Sequence, residues 1–85
     1  MYELTLNNGD TLTTSGAGTY DGYLWIYGLS VNITEAAGIF GDASRTEKIT
    51  VHYQESIPDS VFEGYTILHA VMMDEGSTKV CLKKA

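Results

Sequence analysis

The sequence has a single cysteine, Cys81, and two histidines among its 85 residues. One cysteine excludes an internal disulfide, and without other strong ligands it cannot hold a structural zinc ion. Because no apolar run approaches the roughly 20 residues that cross a bilayer, we expect no membrane partner. The first residues also lack the basic start and apolar stretch of a signal peptide. We therefore expect a cytoplasmic protein that needs neither a metal nor a cofactor.

Lysine and arginine are absent from residues 1–44. The whole chain has eleven carboxylates against five basic side chains, a formal net charge of −6. Nucleic-acid binding draws most of its affinity from neutralised phosphates, so the composition disfavours direct nucleic-acid binding. A basic groove on another protein would attract such a chain.

The beginning of the chain predicts a hairpin. Residues 2–7 alternate between apolar and polar, the period of a half-buried strand, and the Asn-Gly that follows is a strong turn signal. A two-residue turn pairs Leu4 with Thr13. A three-residue loop, with Gly9 in the left-handed conformation, pairs Leu4 with Leu12, and this is the pairing that we favour.

A strand over residues 22–29 carries three of the nine aromatic rings of the chain, including its one tryptophan, after a connection, SGAG at 15–18, that we expect to be flexible. Alternate side chains of a strand point to opposite faces. The two sets are Tyr23, Trp25 and Tyr27 on one face and Leu24 and Ile26 on the other. Because both faces are apolar, the pattern favours a central strand that is covered on both sides.

Between residues 32 and 41 the period changes from two to that of a helix. The apolar residues at helical spacing are Ile33, Ala36, Ala37 and Phe40. Asn32 with Glu35 three residues later resembles a capping box, and Thr34 is a competing cap. Gly41 stands where a helix C′ glycine is expected. One short helix follows from this pattern.

The rest of the chain predicts three more strands. The first is EKITVHYQ, which has one solvent-exposed face. The next is a fifth strand, VFEGYTILHAVMM, with a bulge or bend at Gly64, and the last is TKVCLKK. DEGS, with Asp74 and Glu75, predicts the turn before it. The expected fold is a single α+β domain over residues 1–85, with a mostly antiparallel sheet of about five to six strands and one short helix packed on one face.

Cys81 with His69 or His52 is the arrangement closest to nucleophilic chemistry, because a cysteine nucleophile needs a base within hydrogen-bond reach. With a two-residue turn in the last hairpin, His69 faces Leu82 and lies on the opposite face from Cys81, although a loop of odd length would reverse this. We expect His69 to be a core histidine and His52 to be solvated. The chain also lacks a nucleophile-elbow motif and a phosphate-binding glycine loop. We therefore expect no enzymatic activity and nominate no catalytic or metal-binding residue.

Four segments, MYELTLNNG, TEAAGIFGD, FEGYTIL and KVCLKK, resemble short proteins encoded in phages and prophages of Gram-positive gut bacteria. The similar segments span most of the chain in the same order, and they are structural, so no site residue comes with the resemblance. Phage genes of this size fall mainly into inhibitors of host defence and small tail components. The resemblance thus implies a viral origin.

Our leading functional hypothesis is an anti-CRISPR-like protein that inhibits a host defence nuclease or effector by direct binding, with an acidic surface that imitates nucleic acid. The residues nominated for that surface are Asp10, Asp21, Glu35, Asp42 and Glu47. The alternative is a structural or assembly protein of a phage tail or baseplate, which would be found in the virion and would associate with itself, as a homodimer for example, through a sheet edge or an aromatic face. A small enzyme is a distant third.

The second candidate surface is aromatic. If the helix covers Leu24 and Ile26, one small helix cannot also cover Tyr23, Trp25 and Tyr27. Tyrosine and tryptophan have an apolar body and a polar tip, which suits a contact surface that stays partly hydrated. We expect these three rings to meet another protein chain, either a partner or a second copy.

Overall fold

A computed structural model describes residues 1–73 and 76–85 of the chain. The strands in this part are β1 (Tyr2–Thr5), β2 (Thr11–Thr14), β3 (Gly16–Tyr20), β4 (Tyr23–Leu29), β5 (Lys48–His52), β6 (Ser60–Glu63), β7 (Tyr65–Met72) and β8 (Thr78–Lys84). The helices are α1 (Ile33–Phe40) and α2 (Ala43–Thr46), both between β4 and β5. Asp74 and Glu75, for which a turn is predicted, lie outside the described residues.

The strands form two antiparallel sheets of four strands each, in the orders β2-β1-β5-β6 and β3-β4-β8-β7. The prediction of an α+β fold is therefore confirmed, but the finer description is wrong. Within the described residues there are eight strands in two sheets and two helices, not five to six strands in one sheet with one helix.

The two sheets are joined through single residues at both edges. Ser15 separates β2 from β3, and Gly64 separates β6 from β7. Each edge strand of the first sheet therefore continues into an edge strand of the second. Followed from strand to strand, the pairing runs β1, β2/β3, β4, β8, β7/β6, β5 and back to β1, as in a flattened barrel.

Two of these strands escape the sequence pattern. Residues 16–18 of the SGAG segment belong to β3 rather than to a flexible connection, and β3 pairs with β4 through a two-residue turn at Asp21 and Gly22. Both turn residues have positive φ, 53° and 83°, which is the conformation of a type I′ hairpin turn and explains the Asp-Gly pair. The long apolar run after residue 60 is two strands, because Gly64, with φ 76°, turns the chain from one sheet into the other.

The first hairpin has the favoured register. Leu4 pairs with Leu12, and Gly9 has φ 93°. The amide of Leu6 donates to the carbonyl of Asp10, and the amide of Gly9 donates to the carbonyl of Leu6. The three-residue loop places Leu4 in the core and leaves Leu12 half-buried beside it.

The helix α1 covers the residues that its sequence pattern predicts. Asn32 is the N-cap: its Oδ1 accepts from the amide of Glu35 at 2.8 Å, and its Nδ2 donates to Oε1 of Glu35 at 2.8 Å. Gly41 is the C-cap in a right-handed conformation, so the expected left-handed C′ glycine is wrong and the chain continues directly into α2.

The core lies among the two sheets and α1, which packs against β7 and β8. Its fully buried apolar side chains are Leu4, Leu6, Leu24, Ile26, Leu29, Ala36, Phe40, Ile49, Val51, Val80 and Leu82. Leu24 and Ile26 thus share a core with Ala36 and Phe40 of α1, whereas Ala37 of the predicted stripe is exposed and Ile33 is half-buried. Across the described ranges, no helix is long and apolar enough to span a membrane.

Candidate functional site

The face of the second sheet that points away from the core carries most of the exposed rings. Residues that pair directly in antiparallel strands share a face, and Tyr20 pairs with Tyr23, Trp25 with Cys81, and Cys81 with His69. We call this surface the aromatic face, and its members are Tyr20, Tyr23, Trp25, Tyr27, His69, Lys79 and Lys83. Tyr20 is 76% exposed and Tyr27 39%, whereas Leu24 and Ile26, on the other side of β4, are fully buried.

Trp25 lies at the centre of the aromatic face and is half-buried. The ammonium of Lys79 is 5.2 Å from the centroid of its ring, a cation–π distance. The imidazole of His69 meets the same ring edge-on, with 5.8 Å between the centroids. The indole is therefore held in one orientation by two neighbouring strands.

A strip without side chains runs beside these rings along β3. Gly16 pairs with Tyr27 and Gly18 pairs with Trp25. A Cβ atom added at either glycine would meet no atom within 4 Å. We call this strip the glycine lane; it leaves the β3 side of the two rings open.

The strands of the second sheet contain no carboxylate. They contain three of the five basic side chains, and two of these, Lys79 and Lys83, belong to the aromatic face together with His69. The aromatic face is thus locally cationic in a chain whose net charge is −6. The carboxylates of the described residues lie in the first sheet, the helices and the loops.

The predicted separation of His69 from Cys81 is wrong, because the two residues pair directly across β7 and β8. The amide of Met73 donates to the carbonyl of Ser77 at 2.7 Å, so three residues rather than the expected two separate these paired ends. The extra residue shifts the register by one, which places His69 opposite Cys81 instead of Leu82. His69 is also exposed rather than part of the core.

Cys81 is nevertheless a poor nucleophile. Its side chain is almost completely buried, and burial raises the pKa of its thiol, while the charge of Lys79 offsets only part of that increase. Within the described part of the chain, no hydrogen bond joins the thiol to His69. The thiol therefore stays protonated at neutral pH, and a thiolate is the reactive form.

His52 is half-buried and hydrogen-bonded on both ring nitrogens, rather than simply solvated as expected. Its Nε2 is 2.9 Å from Oγ1 of Thr5, and its Nδ1 is 2.9 Å from Oδ2 of Asp59. A hydroxyl, an imidazole and a carboxylate in this order have the connectivity of a nucleophilic triad. Sequence reasoning missed it, because Asp59 belongs to a loop and Thr5 to another strand.

The five nominated carboxylates lie in four separate segments of the chain. Two hydrogen bonds from Asn7, its Nδ2 to the carbonyl of Ser44 and its amide to the carbonyl of Arg45, join the first hairpin loop to α2. The three carboxylates in these two adjoining segments, which we call the acidic end, are Asp10, Asp42 and Glu47. Asp21 lies in the turn between β3 and β4, and Glu35 in the first turn of α1.

Three of the nominated carboxylates have local structural partners. Asp10 bonds to the side chain of Asn8, and Glu35 to that of Asn32. Asp42 is the N-cap of α2: it accepts from the amide and hydroxyl of Ser44 and lies 3.4 Å from Nε of Arg45. The hydrogen bonds from Ser44 lower the pKa of Asp42, and Arg45 adds a smaller contribution in the same direction. These roles account for the three residues without a partner protein.

A shallow cavity of about 350 Å³ lies between α2 and the start of β7. Its lining is mostly apolar and includes Ala43, Gly64 and Tyr65. Glu47 is the one charged side chain in that lining, and no histidine or cysteine contributes to it.

Among the described residues, no three side chains of the metal-ligating types lie together. Comparison of the chain with known protein families, with curated proteins and with solved structures finds no match. Any functional argument therefore depends on the residues themselves.

Proposed function

We propose that this chain is a non-catalytic binding protein of phage origin, and that the aromatic face is its contact surface. One observation carries the proposal: the rings of Tyr20, Tyr23, Trp25 and Tyr27 share one face of the second sheet, while the core lies on the other. Large rings with polar tips that remain partly exposed on one surface are typical of protein interfaces. The resemblance of four segments to phage and prophage proteins supports the origin.

Of the two phage classes, the aromatic face favours a structural or assembly protein of the tail or baseplate. Assembly contacts are stable and draw on apolar area, and the rings supply it. A surface that imitates nucleic acid would need carboxylates, and the aromatic face presents lysines instead. In this proposal the protein is found in the virion, bound to another tail protein or to a second copy.

A second candidate function, inhibition of a host defence protein, is favoured by the acidic end. Asp10, Asp42 and Glu47 lie in two segments that Asn7 joins, and all three are exposed. A basic channel of a nuclease or effector would attract them. In this case the protein acts in the host cytoplasm.

Capture experiments separate these two candidates. The tagged chain is expressed in host cells with and without an induced prophage, together with a variant that carries Tyr20→Ser and Tyr27→Ser. A matched control carries Val61→Ser, which removes an exposed apolar side chain from the first sheet. We expect a phage-encoded partner that is retained by the control and lost by the double variant.

The opposite pattern would contradict the assembly proposal. A host protein captured equally by the double variant, and lost when Asp10 and Asp42 are replaced by asparagine, would instead support the inhibitor. A stable multimer of the purified chain that the double variant reduces to monomers would agree with assembly through a second copy.

The proposed absence of catalysis has its own test at Thr5. The triad-like group is solvent-exposed, since the side chains of His52 and Asp59 are 38% and 48% exposed, and water competes there with any substrate. We expect a fluorophosphonate probe to leave Thr5 unlabelled in intact-mass and peptide analysis. Labelling of Thr5 that disappears in His52→Ala would contradict a non-catalytic protein and support a small hydrolase.

A further inference from the structure

The glycine lane and the charge of the aromatic face together define the chemistry of the partner. We propose that the aromatic face binds an extended, carboxylate-bearing segment of a partner protein, which lies along the glycine lane. This inference depends on the proposed function, because it names the partner of the same surface.

The shape of the lane is the first argument. Gly16 and Gly18 are about 6.8 Å apart along β3, the distance between alternate residues of an extended chain. Neither position has a side chain, and the space where a Cβ would stand is empty. An extended segment can therefore lie on the backbone of β3 with its apolar side chains against Trp25 and Tyr27.

The charge is the second argument. Lys79 and Lys83 are on the same face, four residues apart on β8, and His69 lies beside Trp25. The strands of the second sheet contain no carboxylate, and neither lysine forms an ion pair with a carboxylate of the described residues. A segment with aspartate or glutamate next to its apolar residues would satisfy the two lysines, and like-charged segments would be rejected.

A single-stranded nucleic acid could also stack on rings beside lysines. It is the weaker occupant here, because each bound phosphate needs a cation and the aromatic face has two lysines. The carboxylates elsewhere in a chain of net charge −6 would repel a long phosphate backbone. A short protein segment places its few charges on the aromatic face alone.

Selection from a random dodecapeptide display library against the purified full chain tests the inference. We expect the enriched peptides to contain more aspartate and glutamate than the starting library, next to apolar residues. Their affinity should fall at least tenfold in a variant with Lys79→Glu and Lys83→Glu. It should also fall between 50 and 500 mM NaCl.

Filling the lane gives a variant that keeps the fold. Gly18→Val adds a β-branched side chain to a strand position with free space, so it favours the strand while it blocks the lane. We expect a loss of peptide binding of at least tenfold. The matched control is Gly38→Ala in α1, where the added Cβ also meets no atom, and it should bind as the unmodified chain does.

Several results would overturn the inference. These are no enrichment, enriched peptides without an acidic excess, binding that survives Gly18→Val, or tighter binding of a 15-nucleotide oligothymidine than of any peptide. If the cellular partner is lost with Tyr20→Ser and Tyr27→Ser while the selection fails, only the acidic segment is refuted. If Tyr20→Ser and Tyr27→Ser leave capture of the cellular partner unchanged, the proposed function itself is refuted.

Discussion

Thr14, the last residue of β2, has a fully buried hydroxyl that bonds around the corner between the two sheets. Its Oγ1 donates toward the carbonyls of Tyr27 and Gly16 and accepts from the amide of Gly16. The side chain therefore satisfies backbone groups at the point where β2 ends and β3 begins. A buried polar group left without a partner costs about 1–3 kcal/mol.

Replacing Thr14 by valine, which has nearly the same shape, removes these bonds: the amide of Gly16 loses this acceptor, while the carbonyl of Tyr27 keeps the amide of Ser15 as a donor. We expect the free energy of unfolding in urea to fall by about 1–3 kcal/mol. Thr14→Ser keeps the hydroxyl and should lose less. A Thr14→Val variant that loses no more stability than Thr14→Ser would mean that the methyl group contributes at least as much to the corner as the hydroxyl does.

Cys81 makes the stability depend on pH at the alkaline side. Burial raises the pKa of its thiol, whereas in the unfolded chain the thiol ionises near pH 8.5. Above that pH the unfolded state gives up a proton that the folded state retains, so stability falls as pH rises. Below it both states are protonated and the effect is absent.

The urea midpoint of the unmodified chain should therefore decline between pH 7.5 and 9.5 more steeply than that of Cys81→Ala. Comparing the slopes of midpoint against pH, rather than the midpoints themselves, removes the pH-independent loss of stability that the smaller alanine side chain causes. Parallel slopes would show that the folded thiol ionises as readily as the unfolded one.

At the scale of elements, Gly64 is the residue that lets one apolar run serve two sheets. Its φ of 76° is left-handed, a conformation that costs other residues about 1–2 kcal/mol. Its amide donates to the carbonyl of Glu47, and its carbonyl accepts from the amide of Ala85. The corner is thus fixed by the residue before β5 on one side and by the residue after β8 on the other.

Gly64→Ala should lower the free energy of unfolding by about 1–2 kcal/mol, because the backbone cannot leave the left-handed region without breaking these bonds. Gly38→Ala is the matched glycine replacement in α1, where space is free, and it should raise stability by up to about 1 kcal/mol. Thermal or urea unfolding of both variants measures the difference. The same sign for both would contradict the role assigned to Gly64.

For the whole molecule, few attractive charge pairs offset a net charge of −6. In the described ranges one pair joins a basic side chain of fixed charge to a carboxylate, Arg45 with Asp42, and both side chains are partly exposed. Exposed pairs add little to stability, so repulsion among the carboxylates is the larger effect.

Raising NaCl from 10 to 300 mM at pH 7 should therefore raise the Tm. Glu55→Lys, in an exposed loop, changes the net charge from −6 to −4 and should show a smaller increase. A Tm that falls with salt would mean that attractive charge pairs dominate. Scanning calorimetry of both chains at the two salt concentrations gives the comparison.

The sequence predicts what depends on neighbours along the chain. The register of the first hairpin, the extent of α1 and the bounds of β8 follow from alternation, capping and turn residues. β3 is missed because a strand of glycine and alanine has no side-chain alternation to read. The sequence predicts a bend at Gly64. It does not predict that the strands before and after Gly64 belong to different sheets, because that depends on pairing with strands far away in the sequence.

The same distinction applies to the candidate site. The alternation of β4 predicts which rings share a face and which aliphatic residues enter the core. The pairing of β8 with β4 and β7 decides that the basic side chains of Lys79 and Lys83 and the imidazole of His69 lie beside those rings. The expectation for His69 was wrong because the last hairpin loop has an odd number of residues. The local sequence pattern therefore predicts the rings of the aromatic face but not its basic side chains.

The strand order has a consequence for synthesis of the protein. β8 lies between β4 and β7 in the second sheet, although it is made after both of them. Until β8 has left the ribosome, β4 and β7 each present an unpaired edge to other nascent chains, and such edges promote aggregation. The second sheet therefore cannot close before β8 is available, and a chain cut before Thr78 should accumulate in inclusion bodies rather than as a smaller domain.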